Sequence, residues 1–117
     1  MMLKQKQTVE FTAFNDGVVS FYEVDEDNNI ILNTKKSFKF KNKTIGVNRY
    51  FQARSNDYEL SKLISIHKNL EIDTTYAAVI NSTRYKIIQI QQVDNTNPPT
   101  TLISLGQRGL YEGDYNV

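Results

Sequence analysis

The sequence predicts a small, mainly β protein, and three observations support this prediction. Val, Ile and Thr, whose side chains branch at Cβ and suit a pleated strand, provide 29 of the 117 residues. Alanine, the best helix former, occurs only four times. Several short segments alternate between apolar and polar residues, which is the period of a half-buried strand. A chain of this length is expected to form one domain, residues 1–117.

The N-terminal part of the chain predicts a β-hairpin. Residues 8–14 alternate, and residues 18–24 form a second apolar run. The turn between them is Asn15-Asp16-Gly17, in which glycine accepts positive φ. The acidic segment 25–29 follows. It lacks the glycine and the distal glutamate of an EF-hand calcium loop, so we expect a solvated loop tip there.

Residues 34–43 show the clearest alternation in the chain, with two phenylalanines on one face and three lysines on the other. The pattern predicts an outer or edge strand, because lysines keep a strand edge soluble and oppose edge-to-edge pairing. A second interpretation stays open, since residues 34–69 carry nine bases and two acids. In that interpretation five lysines form a basic surface that faces DNA or a protein partner: Lys35, Lys36, Lys39, Lys41 and Lys43.

After Gly46 the apolar period becomes helical and predicts one short helix near residues 47–57. Residues 61–68 return to a strand pattern, with Ile64 and Ile66 facing inward and Ser65 and His67 outward. A lone histidine next to a lysine is typical of a surface residue.

The C-terminal half predicts another hairpin, residues 76–80 and 85–93 around a polar turn. The apolar phase changes between Ile87 and Ile88, which indicates either a bulge or burial on both faces. Residues 95–99 form a loop and residues 101–105 the last strand, whereas residues 1–7 and 106–117 are expected to be flexible termini. Six or seven strands with one short helix favour a small antiparallel barrel or sandwich.

Several chemistries have no signature in the sequence. There is no cysteine and only one histidine, so thiolate and multi-histidine metal sites are excluded, and we expect neither metal nor cofactor. We find no glycine-rich phosphate loop and no serine nucleophile elbow, and therefore expect a protein that is not an enzyme. No apolar run approaches the ~20 residues of a membrane span, and no signal peptide is evident, which favours a cytoplasmic origin.

A family resemblance extends over residues 43–105. It rests on a strand ending at Gly46, on Arg49-Tyr50-Phe51-Gln52-Ala53 opening the helix, and on the strand Leu63-Ile64-Ser65-Ile66-His67. Next come Arg84-Tyr85-Lys86-Ile87-Ile88-Gln89-Ile90 after a tight turn, and a closing Leu102-Ile103-Ser104-Leu105 strand. In this order the features resemble the head-tail connector, or head closure, proteins of long-tailed bacteriophages, the stopper and head-tail adaptor group.

The resemblance implies a structural virion protein at the head-tail interface, assembled in the cytoplasm of the bacterial host. It would form a ring, dodecameric by resemblance, below the portal-adaptor complex, where it retains packaged double-stranded DNA and docks the tail. Its partners would be other connector, adaptor and tail proteins. The isolated chain is expected to be a monomer or weak oligomer, with open strand edges that pair across the ring.

Two alternatives stay open. One is a small OB-like barrel that binds single-stranded nucleic acid, and the other is a tail-completion or tail-terminator protein. A single-strand binder should place aromatic and basic side chains on the same exposed strand face. Phe38 and Phe40 alternate with the lysines on opposite faces, which disfavours the OB-like alternative.

Overall fold

The computed structural model describes residues 13–45 and 58–108, which fold into a closed antiparallel β-barrel. Its strands are β1 Gly17–Tyr22, β2 Lys36–Asn42, β3 Tyr58–His67, β4 Ala77–Ile80, β5 Thr83–Val93 and β6 Thr100–Arg108. They follow one another around the barrel in the order β1-β2-β3-β6-β5-β4. Leu32–Thr34 form a 3-10 turn before β2. The predicted all-β class is confirmed, and the closed sheet selects a barrel over a sandwich.

The barrel interior is filled by side chains from all six strands. Inward residues alternate with outward ones along each strand, so the apolar positions of the sequence pattern meet in one core. Ile72, from the connection between β3 and β4, packs into the same core. The buried core residues are Val19, Phe21, Phe40, Ile64, Ile66, Ile72, Ala78, Ile80, Ile87, Ile103 and Leu105.

Polar groups at one end of the barrel satisfy one another. Thr101 is fully buried on β6, and its hydroxyl lies 2.6 Å from Gln92 Oε1. The Asn69 amide donates to the same hydroxyl at 2.9 Å, and Gln92 Nε2 donates to the Asn69 carbonyl at 3.2 Å. A buried hydroxyl without partners would cost about 1–3 kcal/mol, which this network avoids.

Gly17 begins β1 and has the positive φ expected of it, +150°. The Phe40 ring packs against it, 3.0 Å from the point where a Cβ would lie, so β1 and β2 approach closely here. Of the predicted first strand, residues 8–12 lie outside the described residues. Ala13 and Phe14 precede β1 and are not in a strand.

The second predicted hairpin is confirmed, with a shorter turn. Asn81 and Ser82 both have positive φ, +51° and +67°, which is the geometry of a two-residue type I′ turn. Thr83 and Arg84 therefore belong to β5 and not to the turn. The register between β5 and β6 shifts between Ile87 and Gln89, so the predicted bulge is confirmed as the cause of the phase change.

Three expectations from the sequence are corrected, and others concern residues that the structure does not describe. β6 continues to Arg108, so residues 106–108 belong to a strand and not to the C-terminal tail. β3 starts at Tyr58 and not at residue 61 as predicted, and a bulge between Leu60 and Lys62 interrupts the apolar period at that point. The expectation of open strand edges is corrected in part: each strand of the closed barrel has a neighbour on both sides, but among the described residues β2 and β3 share only two residue pairs. The helix predicted near residues 47–57 lies outside the described residues, as do residues 1–7 and 109–117. Within the described ranges, no helix has the length and apolar character needed to cross a membrane.

Candidate functional site

Two lysines, Lys39 and Lys41, lie on the outer face of β2, and Lys43 follows directly after its end. Lys39 and Lys43 are exposed and Lys41 is half-buried, whereas Phe40 between them is almost completely buried inside the barrel. Phe38 also packs against the core. The predicted separation of the phenylalanines and the lysines onto opposite faces is confirmed. We call Lys39, Lys41 and Lys43 the lysine row.

The two other lysines of the predicted basic surface are placed differently. Lys35 is exposed and lies just before β2, at the end of the 3-10 turn. Lys36 is half-buried, and its ammonium lies 5.8 Å from the centre of the Tyr76 ring, a cation–π contact. Lys36 pairs with Phe21 in the ladder and shares the inward side of the sheet, so it is not part of the lysine row.

The lysine row has no acidic partner in the part of the chain that the structure describes. Among the described residues, an ion pair joins Lys68 Nζ to Asp94 Oδ1 at 2.6 Å; Lys68 follows β3 and Asp94 follows β5, so neither belongs to the lysine row. Asp16 lies near the end of β2, where its carboxylate accepts a hydrogen bond from the Asn42 amide at 2.8 Å. The row is therefore a local excess of positive charge on an exposed strand face.

The sheet next to the lysine row is covered and mostly apolar. Ser65, the β3 neighbour of Lys41, faces outward as predicted, yet it is only 2% exposed, and its hydroxyl has no hydrogen-bond partner in the described structure. Leu63 on the same face is also buried. Phe14 is buried against the His67 ring, with 4.2 Å between ring centres. This histidine is exposed, as expected for a surface residue.

An acidic arm connects β1 to β2. Residues 23–31 form it, and they contain four exposed acids and no base. A bridge between Val24 and Ile30 keeps its two sides together, and Asp25 Oδ1 accepts the amides of Asp27 and Asn29 at 2.9 Å each. Because Asp25 holds the tip by these bonds, the arm has a fixed shape. The acids of this acidic arm are Glu23, Asp25, Glu26 and Asp27.

Arg84 fastens the tip of the acidic arm to β5. Its guanidinium donates to the Asn28 carbonyl oxygen at 3.0 Å and to Asn28 Oδ1 at 2.9 Å. Asn28 has a positive φ of +66°, which asparagine tolerates better than most residues. Two donors in a planar fork fix both the position and the orientation of the tip. Sequence reasoning missed this contact because 56 residues separate the partners and no local pattern links them.

The described acidic residues do not assemble into a metal site: no group of three or more possible ligands converges among them. No protein-family model matches the chain, and no curated protein matches it either. The described structure presents two charged surfaces on the barrel: the basic lysine row at β2, and the acidic arm, whose tip contacts β5.

Proposed function

We propose that this protein is a head-tail connector, or head completion, protein of a tailed bacteriophage. In this role it forms a ring below the portal-adaptor complex in the virion, retains packaged DNA and docks the tail. Support comes from the order of sequence features over residues 43–105 and from the small closed barrel, which is compatible with that resemblance.

The observation that carries the proposal is the lysine row on a barrel whose strands are already paired. Each strand of the closed barrel already has a neighbour on both sides, so side chains on its outer face and its connections provide most of the surface for contacts with other molecules. Lysine suits a contact without fixed geometry, because its ammonium is a flexible point charge. Channel DNA or an acidic protein surface would both be attracted to it, and either contact would weaken steeply with added salt.

The alternative of an OB-like single-strand binder has less support. Such proteins stack bases on exposed aromatic rings next to basic residues. Here Phe40 is buried in the barrel and Phe38 packs against the core, on the side of β2 opposite the lysine row. The alternative of a tail-completion or tail-terminator protein uses the same kind of surface and is separated by experiment.

The test is deletion of the gene from a phage that carries it, followed by electron microscopy of the lysate. For a connector we expect complete free tails beside heads that have no tail and have lost their DNA. Tails of abnormal length would indicate a tail terminator. Virions of normal structure and number would refute a structural role and favour the single-strand binder.

Complementation then tests the lysine row. A variant with Lys39, Lys41 and Lys43 replaced by Gln keeps the strand polar and removes three charges. We expect it to restore fewer tailed, DNA-filled particles than the unmodified gene. The matched control replaces Lys4, Lys6 and Lys62 by Gln, which removes the same charge without breaking the Lys68–Asp94 ion pair, and it should complement fully. Full complementation by both variants would show that the lysine row only keeps β2 soluble.

A further inference from the structure

The lysine row and the tip of the acidic arm lie on opposite sides of the barrel. β2 and β5 are three strands apart in either direction around the closed six-stranded order β1-β2-β3-β6-β5-β4. Lys39 and Lys41 lie on β2, and Arg84 holds the tip of the arm against β5, whereas the base of the arm joins β1 to β2. The tip of the arm and the row of one molecule therefore face different directions around the barrel.

The two surfaces are complementary in charge. The row presents three ammonium groups, and the arm presents four carboxylates, of which that of Asp25 already accepts two amides of the arm. Among residues 13–45 and 58–108, none of these seven side chains takes part in an ion pair.

We propose that the acidic arm of one copy docks on the lysine row of the next copy. This inference deepens the proposed function and rests on it, because it names the contact between neighbours in the ring. Each copy offers one arm and one row on opposite sides, so the contact is head-to-tail and repeats from copy to copy. Such heterologous contacts close into a ring when the rotation between neighbours allows it.

The acidic arm is prepared for this contact before a partner arrives. The Arg84 contacts and the two hydrogen bonds to Asp25 Oδ1 already hold its tip in place. Docking therefore costs little further ordering of the backbone, which is a main cost of association. Glu23, Glu26 and Asp27 remain available for the lysines of the neighbour.

The contact is expected to be weak between free molecules. Exposed ion pairs are strongly screened, with a Debye length of about 10 Å at 0.1 M salt and about 3 Å at 1 M. Copies of the chain would then assemble where a partner holds many of them close together, as the portal-adaptor complex would in the proposed function. DNA is the other possible occupant of the row. A copy of the chain is favoured because it carries a matching acidic surface, and because the net charge is only +1.

Charge reversal tests the inference. One variant carries Lys39→Glu, Lys41→Glu and Lys43→Glu, and the other carries Glu23→Lys, Glu26→Lys and Asp27→Lys. Sedimentation velocity at low and high salt measures self-association of the full chain, with circular dichroism as the check of folding. Wild-type protein should self-associate at low salt, and each variant alone should do so at least about tenfold more weakly. A mixture of the two variants should recover association, because each arm again meets an opposite charge.

A second measurement uses the unmodified protein. Carbodiimide joins a carboxylate directly to an amine, and mixing 14N- and 15N-labelled protein identifies links between copies. We expect links from Glu26 or Asp27 to Lys39, Lys41 or Lys43 that join the two labels. Absence of such links at low salt, or failure of the mixture to recover association, would overturn the inference. Loss of DNA binding by the lysine variant with unchanged self-association would assign the row to DNA instead.

The outcome is separable from that of the proposed function. Tailless heads after gene deletion, together with no link between arm and row, would keep the connector function and reject this contact. A link between arm and row in a phage whose virions do not need the gene would keep the contact and reject the connector function.

Discussion

Replacement of Gly106 by alanine tests the packing where β3, β5 and β6 meet. A Cβ at this position would lie 2.3 Å from Ile88 Cδ1 and 2.9 Å from the Glu59 carbonyl oxygen. Both distances are shorter than a carbon atom tolerates, and the second involves backbone, which cannot rotate away. Ile88 is the extra residue of the β5 bulge and is half-buried, so its Cδ1 must move aside for the new Cβ.

The expected cost follows from two opposing effects. Overfilling a packed site typically costs about 1–3 kcal/mol. Alanine restricts the unfolded chain more than glycine does, which returns roughly 0.4–1 kcal/mol. We therefore expect Gly106→Ala to lower the free energy of unfolding by about 1–2 kcal/mol, or the melting temperature by about 4 °C for each kcal/mol.

Urea unfolding measures this loss of stability and tests whether the contact with Ile88 causes it. The four proteins compared are wild type, Gly106→Ala, Ile88→Val and the double variant. Valine lacks Cδ1, so the closest contact disappears, whereas the Glu59 oxygen stays. The double variant should consequently be more stable than the sum of the single effects predicts, by about 0.5–1 kcal/mol. If Gly106→Ala is as stable as wild type, or if the two changes simply add, the packing argument is wrong.

Three further substitutions address other parts of the barrel. Ser65→Ala removes a buried hydroxyl without a partner in the described structure, so it should leave the free energy of unfolding unchanged or raise it by up to ~1 kcal/mol, and a clear loss in urea unfolding would contradict this. The hydrogen bonds from the Thr75 hydroxyl and amide hold the pKa of Asp73 below its ordinary value of 3.8. The charged carboxylate therefore stabilises the folded state above pH 3.8, and this stabilisation is lost as the pH falls through the lowered pKa. Asp73→Asn should consequently lower the urea midpoint at pH 7 more than at pH 3. An equal effect at both pH values would refute this role of Asp73. Arg84→Lys keeps the charge and loses the planar fork, so hydrogen exchange at the Asn28 and Asn29 amides should accelerate several-fold, whereas unchanged exchange would show that Arg84 does not hold the acidic arm.

The strand pattern was predictable where alternation and turn chemistry agree. The common face of Phe38 and Phe40 was predicted from their spacing, and the bulge after Ile87 was one of two explanations for the change of phase. The start of β3 and the end of β6 were not predictable, because a bulge near Leu60 interrupts the apolar period and a glycine such as Gly106 is typical of the end of a strand. Close packing against a neighbouring strand can also require glycine, but the sequence alone does not identify that neighbour.

The candidate site was predictable in part. The outward lysines followed from local alternation, and the same alternation places Lys36 on the face of Phe38 and Phe40; its contact with Tyr76, a residue far along the chain, was not predictable. The place of the acidic arm depends on Arg84, which local pattern cannot reveal. Closure of the sheet likewise depends on the whole chain, and it determines that β2 and β5 lie on opposite sides of the barrel.

The lengths of the hydrogen-bonded ladders divide the barrel into parts of unequal local stability. β3 pairs with β6 over nine residue pairs and β6 with β5 over seven, whereas the described ladder between β2 and β3 has two pairs and that between β1 and β4 has three. The β1–β2 hairpin is thus joined to the rest of the sheet at two short seams. Partial opening at these seams breaks far fewer backbone bonds than global unfolding and defines a separate cooperative unit. The lysine row and the acidic arm both belong to this hairpin or adjoin it, so the segment whose amides we expect to exchange most easily also presents every charge of the proposed contact.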